Sequence, residues 1–227
     1  MPSYEINLIK NHLTFREGDD VVLLDTGSPM TLNFSVDQSN AGIAPMQRCV
    51  GEGIHEFVSE SITELRGMDW ISRYAKVLFD YNARRVIFVQ EGETLALDNE
   101  VASYPCELKF GFPPIVLFNI GGIDRRMYFD TGAVLSFLSA DIAQTGVVTN
   151  RTVDDFIPGL GAFRTAVYQF PVKIGDDLFD VDFGEAHPLT LVELNMGKVV
   201  GVIGYELLAR YQVLLDIRGE KFVLGHI

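Results

Sequence analysis

Two stretches of the chain place an aspartate on a tight turn directly after an apolar run. They are VVLLDTGSPM (residues 21–30) and RRMYFDTGAVLSF (residues 125–137). Chance would place a given tripeptide of common residues roughly 0.05 times in a chain of 227. A carboxylate at such a turn is costly unless it has partners. A lone copy serves equally well as a turn cap that accepts backbone N–H groups. Two copies in two related units open a second use. Related units pack about a pseudo-two-fold axis, and equivalent residues near that axis meet. Asp25 and Asp130 would then face each other. Two carboxyls about 3 Å apart cannot both ionise, so they share a proton, one as base and the other as acid. Such a pair can activate a water and protonate a carbonyl, as amide hydrolysis requires.

That placement needs a repeated scaffold, and the sequence supplies one. GMDWISRYAKVLFDYNARRVIF (67–88) aligns with GYELLARYQVLLDIRGEKFVL (204–224). Gly67 matches Gly204, Arg73-Tyr74 matches Arg210-Tyr211, and Asp80 matches Asp216 after a one-residue gap. Both copies predict a short helix and then an apolar strand pair. Asn82-Ala83 and Arg218-Gly219 mark the turns. Upstream, Glu17-Gly18-Asp19-Asp20 and Gly121-Gly122 each predict a hairpin turn leading into an Asp-Thr-Gly. Each unit therefore reads as hairpin, Asp-Thr-Gly, variable middle, Gly, short helix, closing strands. The expected fold is all-β with short helices, in two lobes. Residues 1–90 form the first lobe, an acidic and polar stretch at 91–107 the linker, and residues 108–227 the second lobe.

Composition narrows the setting. The chain is 48% hydrophobic with 16 Phe, enough for a sizeable core. A net charge of −13 argues against nucleic acid and anionic membrane surfaces as partners. The N-terminus lacks a basic region and a long apolar run, so no secretory signal or transmembrane helix is expected and a cytoplasmic setting is. Cys49 and Cys106 lack metal-site spacing and are expected as buried free thiols. His12, His55, His187 and His226 are scattered and are expected at the surface or in turns. No metal or cofactor is expected.

The motifs LLDTGS and YFDTGA, with VIGYELL and LRGMDWI downstream, resemble the aspartic proteases of the pepsin and retropepsin type. The resemblance covers nearly the whole chain, least in the two middles. It implies a single-chain, bilobal, monomeric endopeptidase acting on polypeptides. Asp25 and Asp130 would be the catalytic dyad. Thr26 and Thr131 would hydrogen-bond across the axis, and Gly27 and Gly132 would permit the turns and donate N–H groups to the carboxylates. A peptide-binding scaffold without activity is one alternative. A phosphate-binding ATPase of the actin and sugar-kinase type, which also carries paired Asp-x-Gly loops, is another.

The chain departs from the family pattern at three places. Arg66 stands where the signature prefers an apolar residue. Ser28 follows one tripeptide and Ala133 the other. A Ser28 hydroxyl bonded to Asp25 would favour its ionisation and leave the shared proton on Asp130. Finally, the first middle is short and the second long. This puts the cleft-covering flap in the second lobe, around residues 155–165, with Pro158-Gly159-Leu160-Gly161 at its tip. Leu160 would face the substrate, Phe156 and Phe163 would form pocket walls, and coverage from one side would leave an open cleft.

Overall fold

Apolar strands separated by turns of special backbone geometry account for most of the chain. A computed structural model describes residues 1–34, 45–158 and 160–227. The first half contains β1 (Ser3–Ile9), β2 (His12–Glu17), β3 (Asp20–Leu24), β4 (Leu32–Asn33), α1 (Pro45–Phe57), β5 (Glu64–Arg66), α2 (Met68–Ile71), β6 (Lys76–Asp80) and β7 (Arg85–Val89). The second contains β8 (Glu100–Glu107), β9 (Ile115–Ile120), β10 (Ile123–Phe129), β11 (Ser136–Leu138), α3 (Ala140–Ala143), β12 (Val147–Ile157), β13 (Gly161–Ile174) and β14 (Asp177–Glu185). A 3₁₀ turn (Pro188–Thr190), α4 (Leu191–Gly197), β15 (Gly201–Ile203), α5 (Tyr205–Leu208), β16 (Tyr211–Asp216) and β17 (Lys221–His226) complete it. The β9–β10 turn has Gly121 and Gly122 at φ +65° and +78°, as a two-residue hairpin of this twist requires.

The pairing pattern repeats. β3 runs parallel to β5, and β4 pairs antiparallel with β5. In the second half β10 runs parallel to β15, and β11 pairs antiparallel with β15. β1 pairs with β2 and β7, while β8 pairs with β9 and β17. Residues 100–107 of the stretch read as a linker thus form a strand that repeats the role of β1. The halves join where β6 pairs with β16. Asp80 and Asp216, matched in the repeat, each cap a hairpin turn by accepting the N–H of Ala83 (2.9 Å) and Gly219 (2.7 Å). Each also bonds across the join, Asp80 to Gln212 at 2.9 Å and Asp216 to Lys76 at 3.0 Å.

The main core spans both halves. Phe79, Phe129 and Phe222 stack edge-on in sequence, with centroids 5.6 and 5.0 Å apart. A smaller core in the first half holds Leu23, Ile54, Val58, Ile62 and Leu65 beneath α1. This helix occupies part of the first middle, a stretch with no element expected from its residues. Val50 and Ile54 lie four apart on its inner side, and Val58 follows just past its end, but Gly51 and Gly53 weaken its local helical signal. Gly51 is required there, because a Cβ would come within 2.9 Å of the Phe34 ring.

Arg66, the residue that departs from the apolar signature, is accommodated by partners. It is buried at 7% exposure, ion-paired to Glu17 and Glu64, with its guanidinium 4.5 Å from the Trp70 ring centroid. Two thiol and imidazole expectations fail. Cys49 is exposed, because it projects from the outer side of α1, whereas Cys106 is buried. His12 is buried at 4% exposure, on the side of β2 that faces the smaller core. Among the described residues no helix is long and apolar enough to cross a membrane.

Candidate active site

The parallel pairs β3–β5 and β10–β15 end side by side, and each delivers its Asp-Thr-Gly to the join. The backbone N–H of Asp25 donates to Arg66 O at 3.0 Å, and that of Asp130 to Ile203 O at 3.0 Å. Gly67 and Gly204 follow at close approach. Met68 N–H donates to Ser28 O and Tyr205 N–H to Ala133 O, both at 2.8 Å. A Cβ on either glycine would lie 2.6 Å (Gly67) or 2.5 Å (Gly204) from those same carbonyl oxygens. Sequence reasoning missed the hydroxyls that brace these turns. Thr31 accepts the Gly67 N–H at 3.3 Å and Ser136 the Gly204 N–H at 3.0 Å.

Between the loops, the two threonines exchange bonds across the pseudo-axis. Thr26 N–H donates to Thr131 Oγ1 at 3.0 Å, and Thr131 N–H donates to Thr26 Oγ1 at 2.9 Å. Each hydroxyl then donates to the strand end opposite, Thr26 to Phe129 O (2.9 Å) and Thr131 to Leu24 O (2.8 Å). Both threonines are buried, so the four bonds form in low dielectric, where leaving one unmade is expensive. This network fixes the distance between the loops.

The half-buried carboxyls of Asp25 and Asp130 face each other across the pseudo-axis, close enough to titrate as a pair. Gly27 N–H (2.8 Å) and Ser28 N–H (3.2 Å) donate to Asp25, and Gly132 N–H (2.7 Å) donates to Asp130. Each glycine also lies against the opposite carboxyl. A Cβ on Gly27 would be 2.5 Å from Asp130 Oδ1, and one on Gly132 would be 2.6 Å from Asp25 Oδ1. Burial raises both carboxyls above the usual range, and the charge of Asp130 raises Asp25 further. The two carboxyls therefore titrate as one pair that shares a proton. The bond expected from sequence between the Ser28 hydroxyl and Asp25 is not made, because that hydroxyl donates to Met30 O at 2.9 Å.

The dyad opens into a cavity of about 550 Å³. Leu23, Ile54, Val58 and Leu65 wall its first-lobe side, and Tyr128, Phe137 and Val202 its second-lobe side. The hairpin of β12 and β13 enters this space. Its register pairs Asp155 with Phe163, Phe156 with Ala162 and Ile157 with Gly161, whose φ is +101°. Phe156 reaches the first lobe, stacking on Phe57 of α1 at 5.0 Å with its ring 5.8 Å from His12. Phe163 stays on the second lobe, 5.2 Å from His187 and 6.1 Å from Phe137. Pro158 lines the cavity with Phe156 and Phe163. Gly159 lies outside the described residues. Leu160, expected to face a substrate, is 57% exposed and is not part of the cavity wall, because the turn carries it to the solvent side. The hairpin touches both lobes, through Phe156 on the first and Phe163 on the second. His12, Asp155 and Glu193 line the cavity and were not singled out from sequence as site residues.

No protein-family model matches the chain, and no curated protein matches its sequence. Solved structures do match. An aspartic proteinase from Irpex lacteus superposes with a TM-score of 0.52 at 12% identity, covering 99% of this chain and 97% of its own. The fold is that of the aspartic proteases. Basic 7S globulin from soybean superposes with a TM-score of 0.57 at 7% identity, covering 98% and 94%. At these identities the likeness concerns the fold alone. An aspartic-protease fold with short helices is distinct from the long-helix lobes of the actin and sugar-kinase type, which removes that alternative.

Proposed function

We propose that the protein is an aspartic endopeptidase. The observation that carries this reading is the facing pair of half-buried carboxyls of Asp25 and Asp130, held by reciprocal threonine bonds. A water bound between them loses a proton to the ionised carboxylate of the pair as its oxygen attacks the peptide carbonyl. The protonated partner gives its proton to the carbonyl oxygen, producing a neutral tetrahedral diol. The first carboxyl then passes its proton to the leaving nitrogen, and a diol hydroxyl returns one to the second as the C–N bond breaks. The polypeptide substrate lies extended in the cavity and pairs with the β12–β13 hairpin by strand addition. Closure of that hairpin excludes water and strengthens the electrostatics of the dyad. The lobes are residues 1–90 and 108–227 together with strand 100–107, joined through 91–99, and one chain carries both halves of the dyad, so a monomer is a complete enzyme.

A second reading has its own support. Phe156 occupies space between the lobes that a peptide side chain would need, as in a scaffold that binds peptide without cleaving it. A fluorogenic peptide library assayed from pH 3 to 8, with and without a statine-type inhibitor, separates the two. Inhibitor-sensitive cleavage supports the endopeptidase. Inhibitor binding with no cleavage at any pH supports the scaffold and refutes the enzyme.

A further inference from the structure

We propose that Asp155 is a positioning residue that couples closure of the hairpin over the dyad to the uptake of one proton. The consequence for turnover rests on the endopeptidase reading; the coupling itself does not.

The two adjacent aspartates of β12 meet different surroundings. Asp154 is exposed and forms a two-bond ion pair with Arg164, at 2.6 and 2.9 Å. Asp155 is half-buried and lines the cavity that holds Asp25 and Asp130. Its Oδ1 accepts the N–H of Phe156 at 2.8 Å, and among the described residues Oδ2 makes no hydrogen bond. No lysine or arginine lines the cavity among the described residues. The acidic and imidazole groups that do are Asp25, Asp130 and Glu193, with His12 behind Phe156 and His187 beside Phe163. Arg164 is engaged by Asp154, and Lys10 by the Phe57 carbonyl at 2.7 Å. Closing the hairpin thus brings a third carboxyl to a pair that already holds one negative charge, with no cation to offset it.

The electrostatics agree. Burial, opposed by the Phe156 N–H and joined by the charge of Asp130, pushes Asp155 up to about 6 from 3.8. Asp154, one residue away, is shifted the other way by Arg164. The sign follows from linkage. A carboxyl raised only in the closed form favours closure while it is protonated, and that preference is lost as pH rises from the ordinary value through about 6. With an ordinary value when the hairpin is open, the closed-to-open ratio falls by up to about a hundredfold across that window. Phe156, seated between Phe57 and His12, carries the movement to the first lobe. Neutral Asn at 155 keeps the size and the acceptor for Phe156 N–H and removes the titration.

Spin labels on the native, exposed Cys49 of α1 and on Leu160→Cys at the exposed turn would report the hairpin position; Cys106 is buried. Distances would be measured by electron–electron double resonance from pH 4.5 to 7.5. The expected result is a short-distance population at low pH that gives way to longer distances above about pH 6. With Asp155→Asn the short distance should persist throughout. Distances that do not respond to pH in the parent, or that respond equally in Asp155→Asn, overturn the proposal. A parallel assay keeps the two readings apart. If kcat/KM of the parent falls more steeply from pH 5 to 7 than that of Asp155→Asn, both stand. If the hairpin responds through Asp155 but no peptide is cleaved at any pH, the endopeptidase reading fails and the coupling stands. If peptides are cleaved and the distances never change, the coupling fails alone.

Discussion

Replacing Gly132 by alanine tests whether the geometry of the dyad, and not merely its presence, sets the rate. The new Cβ would stand 2.6 Å from Asp25 Oδ1 and 2.7 Å from Asp25 Cγ. An unstrained contact needs about 3.5 Å, so something must move by about 0.8 Å. The carboxyl cannot simply swing away, because Gly27 and Ser28 hold Oδ1 from behind at 2.8 and 3.2 Å. The loops cannot part without breaking the threonine bonds. A displacement near 1 Å in a catalytic group costs about a hundredfold in rate. Overpacking of this kind costs about 1–3 kcal/mol, which in a chain of this size lowers Tm by about 3–10 °C. Gly27→Ala should behave alike, since its Cβ would meet Asp130 Oδ1 at 2.5 Å. Steady-state cleavage of a fluorogenic peptide and a thermal melt provide both numbers. A folded Gly132→Ala variant with kcat/KM within about twofold of the parent would refute the reasoning, because a dyad that tolerates such a shift is not doing position-dependent chemistry.

Three further outcomes follow from the same contacts. Thr26→Val strips the hydroxyl that bonds Phe129 O and accepts Thr131 N–H, leaving two buried groups unpaired; stability should fall by about 2–5 kcal/mol, and a melt unchanged from the parent would show that the cross-axis bonds contribute nothing net. Ser28→Ala should leave the acid limb of the pH–rate profile in place, because the hydroxyl serves Met30 O; an upward movement would return Ser28 to the role expected from sequence. Shortening residues 157–162 to a two-residue turn should preserve folding and lower kcat/KM at least tenfold, as loss of water exclusion and strand pairing predicts; turnover equal to the parent would show that this hairpin is no lid.

Much of the fold was legible because the chain states it twice. Matched glycines and turn residues marked β3, β10, α2 and α5, and the repeat itself implied the pseudo-axis. The middles had no such redundancy. Helix α1 was hidden because Gly51, demanded by Phe34, and Gly53 depress its helical signal. Arg66 could not be interpreted until Glu17, far away in sequence, was seen to pair with it. The site divides in the same way. The Asp, Thr and Gly positions were readable, since their chemistry resides in the motif. The role of Ser28 was not, because it depends on which acceptor its hydroxyl selects, and that acceptor is Met30 O. Asp155 escaped notice because nothing in DDFIPG distinguishes the half-buried aspartate from its exposed neighbour until the register of β12 is known.

The central claim is that the Asp25 and Asp130 carboxyls perform hydrolysis with one shared proton. The most direct measurement is the pH–rate profile of inhibitor-sensitive peptide cleavage for the parent, Asp25→Asn and Asp130→Asn, with folding of each checked by its melt. Because burial raises the dyad above the ordinary carboxylate range, the proton is retained below the raised value and lost as pH rises through it. The parent should therefore remain active above the ordinary range and lose activity as the last proton leaves. Either asparagine keeps the shape and cannot exchange that proton, so each variant should fold and lose at least about 10²-fold in kcat/KM at every pH. Two folded variants that cleave peptides as fast as the parent would contradict the account.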